Sequence, residues 1–114
     1  MAFTTRQISN IHRVVGGLCR RRAPEELHDK IKLGYVIEDH QVVIIEARPW
    51  REPKSEWIET EIAKLRYVAQ RNEWKLYWKR ASGKWWLYTL HSNLKSLAAM
   101  VREIEIDSDG CFFG

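Results

Sequence analysis

Cysteine is scarce and long apolar runs are absent, and these two shortages exclude several classes of protein. The 114 residues include two cysteines, Cys19 and Cys111, which are too few for a disulfide framework and lack the paired spacing of a zinc site. No apolar run approaches the roughly 20 residues that span a bilayer. The first residues lack a basic segment followed by an apolar one, so we expect no secretory signal. The sequence therefore predicts a cytoplasmic protein with reduced thiols and no membrane contact.

Acidic residues are scarce in one stretch of the chain, residues 62–90. Seven cations and one acid, Glu73, give this stretch a formal charge of +6, although the whole sequence carries only +4. The same stretch holds four of the six tryptophans and three of the four tyrosines. Because it combines cations with aromatic rings, it is where we expect a partner to bind.

Proline and glycine are also too sparse to mark a linker between domains. Two of the three prolines, Pro49 and Pro53, fall in one predicted loop, residues 49–56, where they forbid regular strand pairing. No long Gly/Ser-rich segment divides the chain. The length suits one compact domain, residues 1–114, with a single core.

Helices are predicted at both ends of the chain. Thr4 and Gln7 have the spacing of a capping box, and the helix that follows is expected to end near Cys19 to Arg21. Its apolar positions recur at helical intervals: Ile8, Ile11, Val15 and Leu18. A second, short helix is predicted from Pro24 to about Ile31. A third is predicted after Asn93, with an apolar stripe of Leu94, Leu97, Ala98, Val101 and Ile104.

Between the helices the pattern predicts a hairpin followed by a three-stranded meander. The hairpin runs from Leu33 to Ala47 around a turn at Asp39-His40. Its return strand contains a continuous apolar run, VVII, which predicts burial on both faces. The meander turns at Arg71-Asn72 and at Ala81-Ser82-Gly83. We therefore predict an α+β fold, a five-stranded antiparallel sheet of hairpin plus meander packed by the N-terminal and C-terminal helices.

Alternation along the meander strands predicts two unlike faces. One face is apolar and carries Trp74, Leu76 and Trp78, together with Ala63, Leu65 and Tyr67. The other mixes cations with rings and carries Lys64, Arg66, Lys75, Tyr77 and Lys79. In the fifth strand, Lys84 to Leu90, either Trp85 and Leu87 or Trp86 and Tyr88 could join that second face, because the strand register is not determined by the sequence.

Several short stretches resemble a family of small bacterial proteins. The matching pieces are Lys32-Leu33-Gly34-Tyr35-x-Ile37-Glu38, Glu46-x-Arg48-Pro49, Ser55-Glu56-Trp57, Ala63-Lys64-x-Arg66-Tyr67, Trp74-x-Leu76-Tyr77-Trp78, Trp85 and Gly110-Cys111-Phe112-x-Gly114. In them the chain, from roughly Arg22 to Gly114, resembles a domain of unknown function, number three thousand and twenty-four in its series. The resemblance implies a short single-domain bacterial protein, and it implies no activity, cofactor or catalytic residue.

The basic aromatic face suggests a non-enzymatic binding module. Single-stranded nucleic acid is bound by cations that contact phosphates and by rings that stack on bases. The candidate binding residues are Lys64, Arg66, Lys75, Tyr77, Lys79, Arg80, Trp86 and Tyr88. The structural alternative is that the long cationic side chains merely cover their own strands with their aliphatic stems.

A protein partner is the second hypothesis. Six tryptophans are many for one small core, and tryptophan and tyrosine are frequent in interface hot spots. A homodimer through an open sheet edge or through Trp86 and Tyr88 would use this surplus. The structural alternative is that tryptophans are large and only partly buried in an ordinary monomer.

An enzyme is the least favoured hypothesis. Glu46, Glu59, Glu61 and Lys64 are the residue types of a magnesium-dependent nuclease. However, Glu61 and Lys64 are three residues apart, which in a regular strand places them on opposite faces. The segment Glu105-x-Asp107-x-Asp109-Gly110 imitates the start of a calcium loop, but we interpret it as a polar turn. The sequence thus predicts no metal site, no cofactor and no catalytic residue.

Overall fold

One antiparallel sheet of five strands, in the order β1-β2-β3-β4-β5, carries two α-helices. The structure is a computed structural model, and it describes residues 3–49, 56–88, 96–107 and 110–113. The helices are α1 (Thr5–Arg22) and α2 (Leu97–Ile106). The strands are β1 (Lys32–Glu38), β2 (Gln41–Pro49), β3 (Trp57–Val68), β4 (Glu73–Lys79) and β5 (Trp85–Leu87). The predicted α+β architecture of hairpin plus meander is confirmed.

The first helix forms as its capping box predicts. The Thr4 hydroxyl accepts a hydrogen bond from the Gln7 backbone, and the Gln7 side chain accepts one from the Thr4 backbone. These bonds satisfy two donors that the helix itself leaves unpaired. Near the other end, a Cβ on Gly16 would lie 3.3 Å from the Tyr35 hydroxyl. Glycine at this position therefore lets α1 pack closely on β1.

The prediction of a short helix from Pro24 to about Ile31 is wrong. The structure has a single 3₁₀ turn, Glu25–Leu27, in place of a helix to Ile31. Pro24 lies outside the turn with an extended backbone, and Leu27 is 39% exposed. A short helix needs an apolar face buried on the core to persist, and this segment does not bury one.

The first hairpin turns where the sequence predicts, with Asp39 in the left-handed region at φ 47°. Residues Val42, Val43 and Ile44 of β2 are all buried. This strand is paired on both edges, by β1 and by β3. Its continuous apolar run thus marks an interior strand, as predicted.

A β-bulge interrupts the pairing of β2 with β3. Ile44 pairs with Ala63, but Ile45 pairs with Glu61, so that Ile62 is an extra residue in β3. Both Ile62 and Ala63 are buried, and such a bulge shifts the alternation of side chains along the strand. Glu61 is therefore on the same sheet face as Lys64. The expectation that these two residues lie on opposite faces is wrong, because it assumed a regular strand.

Both helices pack on the same face of the sheet, which we call the helix face. Helix α1 contacts β1, α2 contacts β4, and the two helices contact each other. The innermost side chains are Ile11, Leu18, Ile44, Leu65 and Ile104, each fully buried. Trp74, Leu76 and Trp78 of β4 join this core, as predicted. Neither described helix is long and apolar enough to cross a membrane.

Side-chain hydrogen bonds cap the start of α2 and connect its C-terminal end to the segment that follows. The described helix begins at Leu97, where the Ser96 hydroxyl caps it; the predicted cap Asn93 and Leu94 are outside the described residues. At the other end the Asp107 carboxylate accepts hydrogen bonds from the backbone of Phe112 and of Phe113, at 3.0 and 2.9 Å. Asp107, from the segment that imitates a calcium loop, thus positions the backbone of the buried Phe112.

The opposite surface of the sheet, which we call the open face, has neither described helix on it. The register of the five strands determines which side chains lie on this face. From β1 to β5 they are Lys32, Gly34, Val36 and Glu38; Gln41, Val43, Ile45, Ala47 and Pro49; Trp57, Glu59, Glu61, Lys64, Arg66 and Val68; Glu73, Lys75, Tyr77 and Lys79; Trp85 and Leu87.

Substitution of two isoleucines on α2, one buried and one exposed, tests this packing. Ile104 is fully buried, whereas Ile106 is 62% exposed. We expect Ile104→Ala to lower the free energy of unfolding by about 2–5 kcal/mol, because it removes buried methyl groups and leaves a cavity. Ile106→Ala should change it by less than about 0.5 kcal/mol. Urea unfolding measures both, and equal midpoints for the two variants would contradict the placement of α2.

Candidate functional site

The strand register brings five of the predicted binding residues onto the open face. Lys64 pairs with Tyr77 and Arg66 pairs with Lys75 across β3 and β4, while Lys79 follows on β4. The same register decides the question that the sequence left open in β5. Lys79 pairs with Trp85 and Tyr77 pairs with Leu87, so Trp85 and Leu87 are the residues of β5 on the open face.

Two aromatic rings and two lysines form one cluster there. The Lys64 Nζ lies 4.9 Å from the centre of the Tyr77 ring and 5.1 Å from that of Trp85. The Lys79 Nζ lies 5.3 Å from the Trp85 ring and 2.6 Å from Glu61 Oε1. Cation–π attraction of this kind is worth about 0.5–1 kcal/mol at exposed sites. In the free protein these contacts thus hold the cluster together. The charge of Lys79 is already neutralised by Glu61.

Arg66 and Lys75 are two positively charged residues that lie next to each other on adjacent strands. Their Cα atoms are direct partners across β3 and β4, and like charges in that position destabilise a sheet. Among the described residues, no ion pair includes Arg66, Lys75 or Lys64. Glu73 is the next open-face residue of β4, but its carboxylate is 3.8 Å from Arg71. This part of the open face therefore favours an anion.

Comparison with known proteins assigns the chain to a family. A family model described as a domain of unknown function (DUF3024) matches residues 3–114. The protein belongs to this DUF3024 family. No curated protein and no solved structure matches the chain. Several stretches that carried the resemblance supply the sheet: Gly34 lies on β1, Lys64 and Arg66 on β3, and Tyr77 on β4.

Three predicted binding residues of this family member are on the helix face instead. Tyr88 is buried, donates its hydroxyl to Glu103 at 3.0 Å and packs its ring 5.3 Å from that of Phe112. Arg80 places its guanidinium 4.4 Å from the centre of the Trp86 ring, and Trp86 is half exposed. These residues form no part of the basic aromatic surface, and the Tyr88 side chain is buried within the chain. The missed residue is Trp85, which only the register identifies.

The carboxylates considered for a nuclease do not converge. Glu59 and Glu61 are on the open face, whereas Glu46 is on the helix face and pairs with Arg48 at 2.9 Å. Across the described residues, no group of three or more His, Cys, Asp or Glu side chains could hold a metal ion. The bulge at Ile62 brings Glu61 to the side of Lys64, but Glu61 binds Lys79 there.

The described cysteine of α1 is not an activated nucleophile. Burial raises the pKa of Cys19 to about 11, although the nearby Arg20 opposes the shift. Burial also raises the pKa of Tyr35, whose hydroxyl lies 2.7 Å from His12 Nδ1. A thiol with this pKa is almost wholly protonated at neutral pH and attacks slowly.

The two cysteines should therefore differ in reactivity towards a thiol reagent. At pH 8 only about one Cys19 thiol in a thousand is ionised, given a pKa three units higher, and the residue is also buried. Cys111 is only partly buried. We expect the Cys111→Ser variant to react with an aromatic disulfide reagent far more slowly than the wild type, and to react fully in urea. Fast reaction of the folded variant would contradict the burial of Cys19.

Proposed function

We propose that the protein is a non-enzymatic module that binds single-stranded nucleic acid on the open face of its sheet. The observation that carries the proposal is the direct pairing of Arg66 with Lys75. Such a like-charge pair costs stability in the free protein. A phosphate between the two side chains would remove that cost, and so the free energy of binding includes relief of the repulsion.

The rings beside this pair support a nucleic acid over a simple anion. Tyr77 and Trp85 are partly buried, and the Lys64 Nζ lies 4.9 and 5.1 Å from the centres of their rings. When Lys64 moves to a phosphate, the two ring faces become available to bases. Stacking of a base on an aromatic side chain contributes about 1–3 kcal/mol and tolerates any base.

The charges of the open face also set the expected strength of the salt dependence. Lys79 is paired with Glu61, so the phosphate contacts come from Lys64, Arg66 and Lys75. Three contacts to a single strand predict a slope of about −2 for the logarithm of the binding constant against that of the salt concentration. We also propose that the protein acts in the bacterial cytoplasm, as its sequence led us to expect.

A protein partner, including a second copy of the chain, is the second candidate function. It is favoured by the apolar residues exposed near the proposed site: Leu87 on the open face is 44% exposed, and Trp86 on the helix face is 50% exposed. A dimer would change the elution mass of the protein, and Leu87→Ser would restore the monomer. Lys75→Glu would leave such a dimer intact, since it removes no apolar surface.

The variant Lys75→Glu tests the nucleic-acid proposal without harming the fold. The new carboxylate would lie opposite Arg66, so we expect the free energy of unfolding to rise by about 0.5–1 kcal/mol. Binding of a labelled single-stranded oligonucleotide should fall at least tenfold, because one phosphate contact is replaced by repulsion. Fluorescence anisotropy at low and at physiological salt measures the binding, and urea unfolding measures the stability.

The matched control is Arg13→Glu, which changes the net charge equally on the other side of the molecule. Arg13 is an exposed residue of α1, and its guanidinium bonds the Asn10 side chain at 2.7 Å. We expect the Arg13→Glu variant to bind the oligonucleotide nearly as strongly as the wild type does. Equal losses in the two variants would show an unspecific effect of net charge, and absence of wild-type binding even at low salt would refute the proposal.

A further inference from the structure

A glycine lies in the middle of β1, where the described residues do not require one. Gly34 is on the open face, opposite Ile45 of β2. It is not among the glycines with positive φ, so a residue with a side chain could adopt its conformation. A Cβ built at Gly34 would meet no heavy atom of the described residues within 4 Å. Neither backbone conformation nor crowding accounts for this glycine, and glycine inside a strand weakens the strand.

A shallow hollow of about 320 Å³ lies beside Gly34 on the open face. Val36, Ile45 and Ala47 give it an apolar floor, and Lys32 and Glu59 are at its rim. The Lys32 Nζ lies 4.4 Å from the centre of the Trp57 ring. The hollow thus combines an apolar surface with one donor and one acceptor of opposite charge.

We propose that the hollow above Gly34 is a subsite for one unstacked base of the bound strand, an inference that rests on the proposed function. A glycine in a strand allows a ligand to approach the backbone closely. The cation and the acid at the rim balance each other, so a neutral group is favoured there over a phosphate. A base fits because its flat face is apolar while its edge carries both donors and acceptors.

The position of the hollow suits the same strand of nucleic acid. Gly34 and Tyr77 are both on the open face, on β1 and β4. Three strand spacings separate them across the sheet, about 14 Å. A single strand of several nucleotides would therefore contact the rings at Tyr77 and Trp85 and reach the hollow with a further base.

The variants Gly34→Ala and Gly34→Val place one and then three carbon atoms in the hollow. With an oligonucleotide of about twelve nucleotides, we expect Gly34→Val to weaken binding about tenfold and Gly34→Ala to weaken it less. The slope of binding against salt should stay unchanged, because no charge is removed. The melting temperature should not fall, since both residues suit a strand better than glycine does. The control is Thr60→Val, which replaces a hydroxyl with a methyl group on the helix face of β3 and should bind as the wild type does.

The outcomes separate this subsite from the proposed function. Wild-type binding that Lys75→Glu abolishes and that both Gly34 variants retain would overturn the subsite and leave the proposed function standing. Absence of wild-type binding would overturn both. A graded loss from alanine to valine, with an unchanged salt slope and a stable fold, would establish the hollow as a base subsite.

Discussion

The burial of one sheet face beneath two helices is the interaction on which the rest of the structure depends. Ile44 and Leu65 of the sheet and Ile104 of α2 are fully buried, and burying such a side chain contributes about 1.5–3 kcal/mol. Because successive side chains of a strand point to opposite faces, this burial also decides what is left on the open face. The cations of β3 and β4 lie there as a direct consequence of the core on the other side.

The bulge at Ile62 is where that alternation is broken. By adding a residue, β3 buries both Ile62 and Ala63, so the core gains a side chain that a regular strand would expose. The same step moves Glu61 to the open face, where it neutralises Lys79. Among the described open-face cations of β3 and β4, those outside any ion pair are consequently Lys64, Arg66 and Lys75. A bulge thus acts on the electrostatics of a surface as well as on packing.

The open face has two parts of different chemistry. Arg66 and Lys75 are like-charged neighbours with the Tyr77 ring beside them, which suits a phosphate backbone and its bases. Around Gly34 the charges balance and the floor is apolar, which suits a neutral flat group. DUF3024 family membership assigns no activity to either part, so the physical properties of these residues are the basis for the proposed function.

Elements whose signals are local could be predicted from the sequence alone. The capping box at Thr4, the turn at Asp39 and the alternation of β4 each depend on a few neighbouring residues, and all three are present. The bulge, the 3₁₀ turn in place of a helix after Pro24 and the face of β5 follow only from the folded structure. These depend on which strands pair and on what the core can bury, which involves residues far apart in the chain. For that reason Trp85 could be assigned to the open face, and Trp86 and Tyr88 to the helix face, only from the pairing of β5 with β4.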